Sequence, residues 1–210
     1  MRPEDTIRVS RINRVLNEFV RRRRRGPSVA LDVAAFHVHG EPVTFAQASE
    51  ARYEPFSVGE SWGPAWDTTW FRLRGQIPAP WAGHEVALGF GIGNAGSTGF
   101  GAEALVWRQG RAVQGLSPNH REYILWSDAH GGEDIELFIE AAANPPSPFG
   151  ANPWPMLMAE PEGMPLFTLQ QADLHVRDPE FEHFARRKNA RQAAQHEIFV
   201  EFAPCDAAGA

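Results

Sequence analysis

One cysteine, Cys205, stands in 210 residues, so no disulfide forms within the chain and nothing points to an oxidising compartment. Lysine is almost absent too: Lys188 is the only one, and the remaining basic charge is arginine. The net charge is −6, which gives no support to nucleic-acid binding as the main task. No apolar run approaches the ~20 residues that a membrane-spanning helix needs. Met1 to Thr6 is not followed by the apolar stretch of a signal peptide, so the expected location is the cytoplasm and no membrane partner is implied.

Apolar residues make up 43% of the chain, an ordinary share for a globular domain with a sizeable core. Ile12, Val15, Leu16, Phe19 and Val20 repeat at helical spacing. Arg21 to Arg25 then fall in the helix's last turn, where cations suit the dipole, and Gly26-Pro27 ends it. Beyond this point the period becomes two. Phe71 and Leu73 alternate with Trp70, Arg72 and Arg74; Val86, Leu88 and Phe90 share a face; so do Ile135, Leu137, Ile139 and Ala141. Further strands are expected over 102–107, 121–126 and 167–176, with Arg108 to Arg111 as a hairpin turn. Short strands separated by glycine and proline predict a mainly β fold, an antiparallel β-sandwich of jelly-roll or galactose-binding-like type. The expected organisation is a helical segment over 1–27, the sandwich over 28–177, and a C-terminal helix with a disordered tail over 178–210. Asp178-Pro179 supplies the N-cap and first position of that second helix. Between Asn144 and Pro165 lies a long loop holding seven of the 17 prolines.

Several patterns suggest chemistry and fail on context. Gly91 to Gly96 matches G-x-G-x-x-G, but Ser97 to Gly101 cannot open the helix that would hold a pyrophosphate, so a bulged inter-strand connection is expected. Ala95 to Gly99 lacks the first glycine of a nucleophile elbow. His37 and His39 could begin a metal site, yet no third ligand accompanies them. Asp134, Glu136 and Glu140 alternate opposite the apolar face, as the wet side of a sheet does; a glycosidase pair of Glu136 and Glu140 is the competing reading.

The densest signal is Trp62 to Gly75, which carries three of the seven tryptophans. Large flat rings serve either as packing nodes or as platforms on which a sugar stacks. Trp62, Trp66, Trp70 and Trp81 are all open to both readings. Packing is favoured, with Gly63-Pro64 turning the chain between Trp62 and Trp66.

Four segments in order carry a family likeness: Tyr53-Glu-Pro-Phe56 leading into Trp62-Gly-Pro-Ala-Trp66-Asp-Thr-Thr-Trp70-Phe71; Ile77-Pro78-Ala-Pro-Trp81-Ala-Gly83; Ala102-Glu103-Ala-Leu-Val-Trp107 with Gln114-Gly115-Leu116; and Leu137-Phe-Ile-Glu140-Ala-Ala-Ala-Asn144-Pro145. Together they resemble the N-terminal region of the α-mannosidases of glycoside hydrolase family 38, of the cytosolic and vacuolar type, from about Ile12 to about Asp178. The resemblance implies a β-sandwich ahead of a larger catalytic domain, which holds zinc and a catalytic aspartate introduced by His-x-Asp. This chain contains no His-x-Asp, so it is assigned no catalytic residue, no metal ligand and no cofactor of its own. Asp67 departs from the small residue expected there.

The expectation is therefore a non-catalytic portion of an α-mannosidase-like enzyme, truncated or split, bracing a catalytic domain in carbohydrate catabolism. Its expected partners are that domain, on a companion chain, or a second copy, with an apolar patch marking the contact. The alternative is a free-standing carbohydrate-binding module. Trp62, Trp66, Trp70 and Asn144 are the candidate contacts to a sugar or to the neighbouring domain.

Overall fold

The computed structural model describes residues 25–93, 101–144 and 167–178. The chain divides into two compact units, Met1–Gly26 with Arg177–Ala210, and Pro27–Val176. The second of these holds the described sandwich. The expected N-terminal helix up to residue 24, most of the proline-rich loop, the C-terminal helix beyond Asp178 and the tail lie outside the described residues.

Two antiparallel sheets form the sandwich. The larger has six strands in the order β3 (Glu54–Pro55), β2 (Asp32–Val38), β5 (Thr68–Gln76), β10 (Asp134–Ala143), β7 (Ala102–Arg108), β8 (Arg111–Leu116). The smaller has four: β1 (Arg25–Ala30), β12 (Gln171–Arg177), β6 (Glu85–Gly91), β9 (Glu122–Trp126). A short ladder joins β4 (Ser61–Trp62) to β11 (Phe167–Thr168). The chain changes sheet at β1–β2, β5–β6, β6–β7, β8–β9, β9–β10 and on reaching β12. Repeated crossing between two sheets is the jelly-roll pattern.

β1 opens at Arg25, inside the segment read from the sequence as the end of a helix. A single residue, Leu31, then carries the chain across to β2, its N–H bonded to the Ala172 carbonyl at 3.1 Å. The stretch read as one last strand over 167–176 is two. It breaks where Leu169 N–H bonds the Glu60 carbonyl and Gln170 N–H bonds the Gly91 carbonyl. The hairpin turn at Arg108 to Arg111 is as expected: Gln109 and Gly110 both have positive φ, 51° and 75°, which matches the twist of the flanking strands.

Inward-facing residues of both sheets make one core. Phe71 and Leu73 of β5 and Ile135, Leu137 and Ile139 of β10 meet Val86, Leu88 and Phe90 of β6 and Leu174 of β12. Side chains link the two sheets along their edge strands β8 and β9. Gln114 Nε2 donates to the Glu122 carbonyl at 2.6 Å and Arg108 Nη1 to the Leu125 carbonyl at 2.9 Å, with the guanidinium 4.3 Å from the centre of the Trp126 ring.

The outer face of the larger sheet is also partly buried, which the alternation did not show. Helix α1 (Phe45–Ser49) lies over it, and Phe45 contacts Trp70, Trp107 and Phe138 with ring centroids 6.2, 5.0 and 5.4 Å away. Thr44 and Gln47 form a capping box at its start. A five-residue helix has little stability of its own, so this cap and Phe45 hold it. Thr44→Ala is expected to lower stability by about 1 kcal/mol. Denaturant unfolding checks this; a loss indistinguishable from zero would show that Phe45 alone fixes the helix.

Candidate functional site

The Trp62 to Gly75 segment crosses from the small ladder into the centre of the larger sheet, and its three indoles end in three environments. Trp62 is 1% exposed, set in the main core edge-on to Phe71 at 5.7 Å and against Phe167 at 5.4 Å. Trp70 is fully buried on the opposite face beneath α1. Both indole N–H groups are buried without a hydrogen-bond partner. Such a ring serves packing and leaves no face for a ligand. Trp81, also in the core, behaves likewise.

Trp66 is different: it is 71% exposed. It is also the third residue of a turn closed by Asp67 N–H to the Pro64 carbonyl at 3.1 Å, and its φ is +72°. Glycine or asparagine ordinarily fills such a position, because a Cβ crowds the backbone there. For a bulky residue it is a conformational outlier.

The turn is held firmly. Trp66 N–H donates to the Ala143 carbonyl at 2.8 Å, and Ala143 N–H to the Asp67 carbonyl at 3.0 Å, which extends the β5–β10 ladder beyond Thr68. Gly63 lies against this ladder: a Cβ there would sit 2.5 Å from Ala143 Cβ, and φ is +62°. Asp67 explains its own departure from a small residue. Its carboxylate pairs with His39 Nδ1 at 2.5 Å and accepts the Gly40 N–H at 3.4 Å, tying the end of β2 to the turn. Continuing the register places Asn144 beside Trp66, and Asn144 Nδ2 reaches Glu103 Oε2 at 3.5 Å. Trp66, Asn144, Glu103 and His39 thus lie at the same end of the larger sheet. Of the four expected contact residues, the structure leaves Trp66 exposed and Asn144 half-buried, and encloses Trp62 and Trp70.

Other candidates dissolve into structure. His37 Nδ1 is 3.0 Å from Thr69 Oγ1 while His39 engages Asp67, and the described residues contain no group of three metal-ligating side chains. They do not fit a zinc site. Glu136 accepts from Arg74 Nε at 2.7 Å, Asp134 from Gln76 at 3.0 Å and Glu140 from Trp107 Nε1 at 3.0 Å. Glu136 and Glu140 stand four residues apart on one strand, about 13 Å, beyond the separation of either glycosidase geometry. Gly91 ends β6 and Gly93 follows with φ +112°; residues 94–100, including Ser97, lie outside the described residues. The exposed large apolar side chains among the described residues, Val29, Val58, Trp66, Val113 and Ile124, come from five separate segments.

Two stacked antiparallel sheets linked by crossing connections, with an exposed aromatic turn at one end, define a jelly-roll domain. The family model described as alpha-mannosidase, jelly roll domain, matches residues 28–175, and the chain belongs to that family. It is 35% identical to human alpha-mannosidase 2C1 over 156 residues, covering 72% of this chain and 14% of that protein. Against alpha-mannosidase G of Dictyostelium discoideum it is 29% identical over 150 residues, 66% of this chain and 13% of that protein. The chain therefore spans only a small part of the length of the curated relatives it matches. A solved β-glucuronidase chain of Faecalibacterium prausnitzii superimposes with a TM-score of 0.43 at 15% identity, covering 73% of this chain and 32% of that one.

The environments set the expected mutational response. Trp62→Ala and Trp70→Ala should each remove about 3–5 kcal/mol of stability. Trp66→Asn should not destabilise, and relief of its left-handed backbone should return up to ~1 kcal/mol. Equilibrium unfolding of the three variants checks this; a loss at Trp66 matching the other two would contradict the division.

Although His37 keeps a solvent-exposed side, partial desolvation, and then the neighbouring His39, lower its pKa, with Asp67 opposing. A depressed folded pKa means that the unfolded chain binds the proton first, so stability is full above the ordinary histidine value and falls as pH drops below about 6.5. His37→Asn should flatten that part of the stability–pH curve, read from melting temperatures between about pH 7 and pH 5. An unchanged slope would assign the acid sensitivity to other groups.

Proposed function

We propose that this chain supplies the non-catalytic jelly-roll domain of an α-mannosidase of glycoside hydrolase family 38, bracing a catalytic domain in cytoplasmic carbohydrate catabolism. The supporting observation is the relation of lengths. The jelly-roll match fills residues 28–175 here, yet the aligned region is 14% of human alpha-mannosidase 2C1. Most of such an enzyme lies outside what this chain represents. The zinc and the catalytic aspartate implied by the resemblance belong to that other part, on the same or a companion polypeptide. Within this domain the carboxylates of β10 are engaged by cross-strand partners rather than aimed together at a substrate.

The experiment is an aryl α-mannoside assay of the purified chain, with and without added zinc or cobalt, followed by mixing with the catalytic domain of a related α-mannosidase from which the jelly roll has been removed. The chain alone should release no more aryl alcohol than the buffer, and the mixture should melt higher than the catalytic domain by itself. Turnover by the chain alone would overturn the non-catalytic reading. An unshifted melting temperature would overturn the bracing role.

A further inference from the structure

Trp66 combines two unfavourable features that no contact among the described residues repays. An indole 71% exposed leaves apolar area in water, and a φ of +72° strains the backbone of a residue with a Cβ. Glycine or asparagine would close the same turn without either. Backbone strain of this kind, retained by surrounding hydrogen bonds, is characteristic of ligand-binding positions.

We propose that Trp66, with Asn144 and Glu103 on the neighbouring strands, forms a binding platform for a hexopyranose unit of an oligosaccharide, a reading independent of the bracing role. Three observations lead to a sugar. The ring is presented on a backbone fixed from both sides, by Ala143 and by the Asp67 contacts to His39 and Gly40, so little ordering is needed on binding. The positions paired beyond its backbone are polar: Asn144, opposite Trp66 in the continued β5–β10 register, offers two donors and an acceptor, and Glu103, 3.5 Å from Asn144 on β7, two carboxylate oxygens. An apolar face with adjacent amide and carboxylate matches a pyranose, whose C–H face stacks while its hydroxyls take the hydrogen bonds. The other exposed large apolar residues among those described, Val29 and the three on β8, β9 and the β3–β4 loop, are on other segments.

The test uses the full 210-residue chain, labelled with ¹⁵N, titrated with linear oligosaccharides of mannose, glucose and galactose. The Trp66 indole signal is assigned by its absence from Trp66→Asn. The expected result is a saturable shift of the Trp66 indole and the Asn144 side-chain amide with at least one of the three sugars, half-complete near or below about 1 mM, the range expected of a single-ring site. Trp66→Asn should abolish the shift of the Asn144 amide at an unchanged or raised melting temperature, and Glu103→Gln should weaken it several-fold. No movement of the Trp66 indole with any sugar up to roughly 50 mM, an affinity too weak to matter, would overturn the proposal. So would an Asn144 shift that survives in Trp66→Asn, or a melting temperature in that variant lowered as in a core tryptophan variant. The aryl mannoside assay is silent on this site, so failure here and failure of the non-catalytic reading are told apart.

Discussion

The rest of the sandwich depends on the pairing of β5 with β10. Nine residue pairs, from Asp134 opposite Gln76 to Ala142 opposite Thr68, set which side chains face the second sheet and which face out. A slip by one residue would send Phe71, Leu73, Leu137 and Ile139 to the wrong side. Because β10 also pairs with β7, and β5 with β2, the same register fixes four of the six strands in the sheet. The outer face it creates is unusual in being apolar at its centre, and α1 covers it through Phe45. The central strands are thereby buried on both faces, so their register is specified twice.

That register also explains why a single tryptophan-rich segment yields different outcomes. Trp62 enters the core before β5 begins, Trp70 lies within β5 on the face below α1, and Trp66 sits in the turn between them, where the chain must reverse without losing contact with Ala143. Gly63 is required by the close approach to Ala143, and Asp67 by the His39 and Gly40 contacts. Of the three tryptophans, Trp66 is the one left exposed, with no packing reason for its identity among the described residues.

Strand alternation made the inner core legible. The apolar positions of β5, β6 and β10 were all placed on the correct faces from the sequence, and with them the mainly β, antiparallel class. Alternation is blind to what covers the other face, so it put Trp70 beside Arg72 and Arg74 without naming what packs on it. The missed element, α1, is too short for a helical period. Its only sign was the capping box formed by Thr44 and Gln47. The division of 167–176 into two strands was hidden because Leu169 and Gln170 continue the apolar and polar pattern while bonding to Glu60 and Gly91 in different directions. For the site, residue type alone could not separate Trp66 from Trp62 and Trp70. The distinction lies in a positive φ, which for a non-glycine residue leaves no mark in sequence. Asn144 stood out only through its place at the end of the Glu-Ala-Ala-Ala-Asn segment.

The jelly roll therefore reads as a structural domain of an α-mannosidase-type protein in which two tryptophans hold the fold and a third is turned outward. The most direct measurement is hydrogen exchange of the indole N–H groups in the intact chain. Those of Trp62 and Trp70, buried and without acceptors, should exchange only through global opening, while that of Trp66 should exchange at nearly the rate of free indole. A Trp66 signal as protected as the other two would show that the ring is packed, and would contradict the account at its centre.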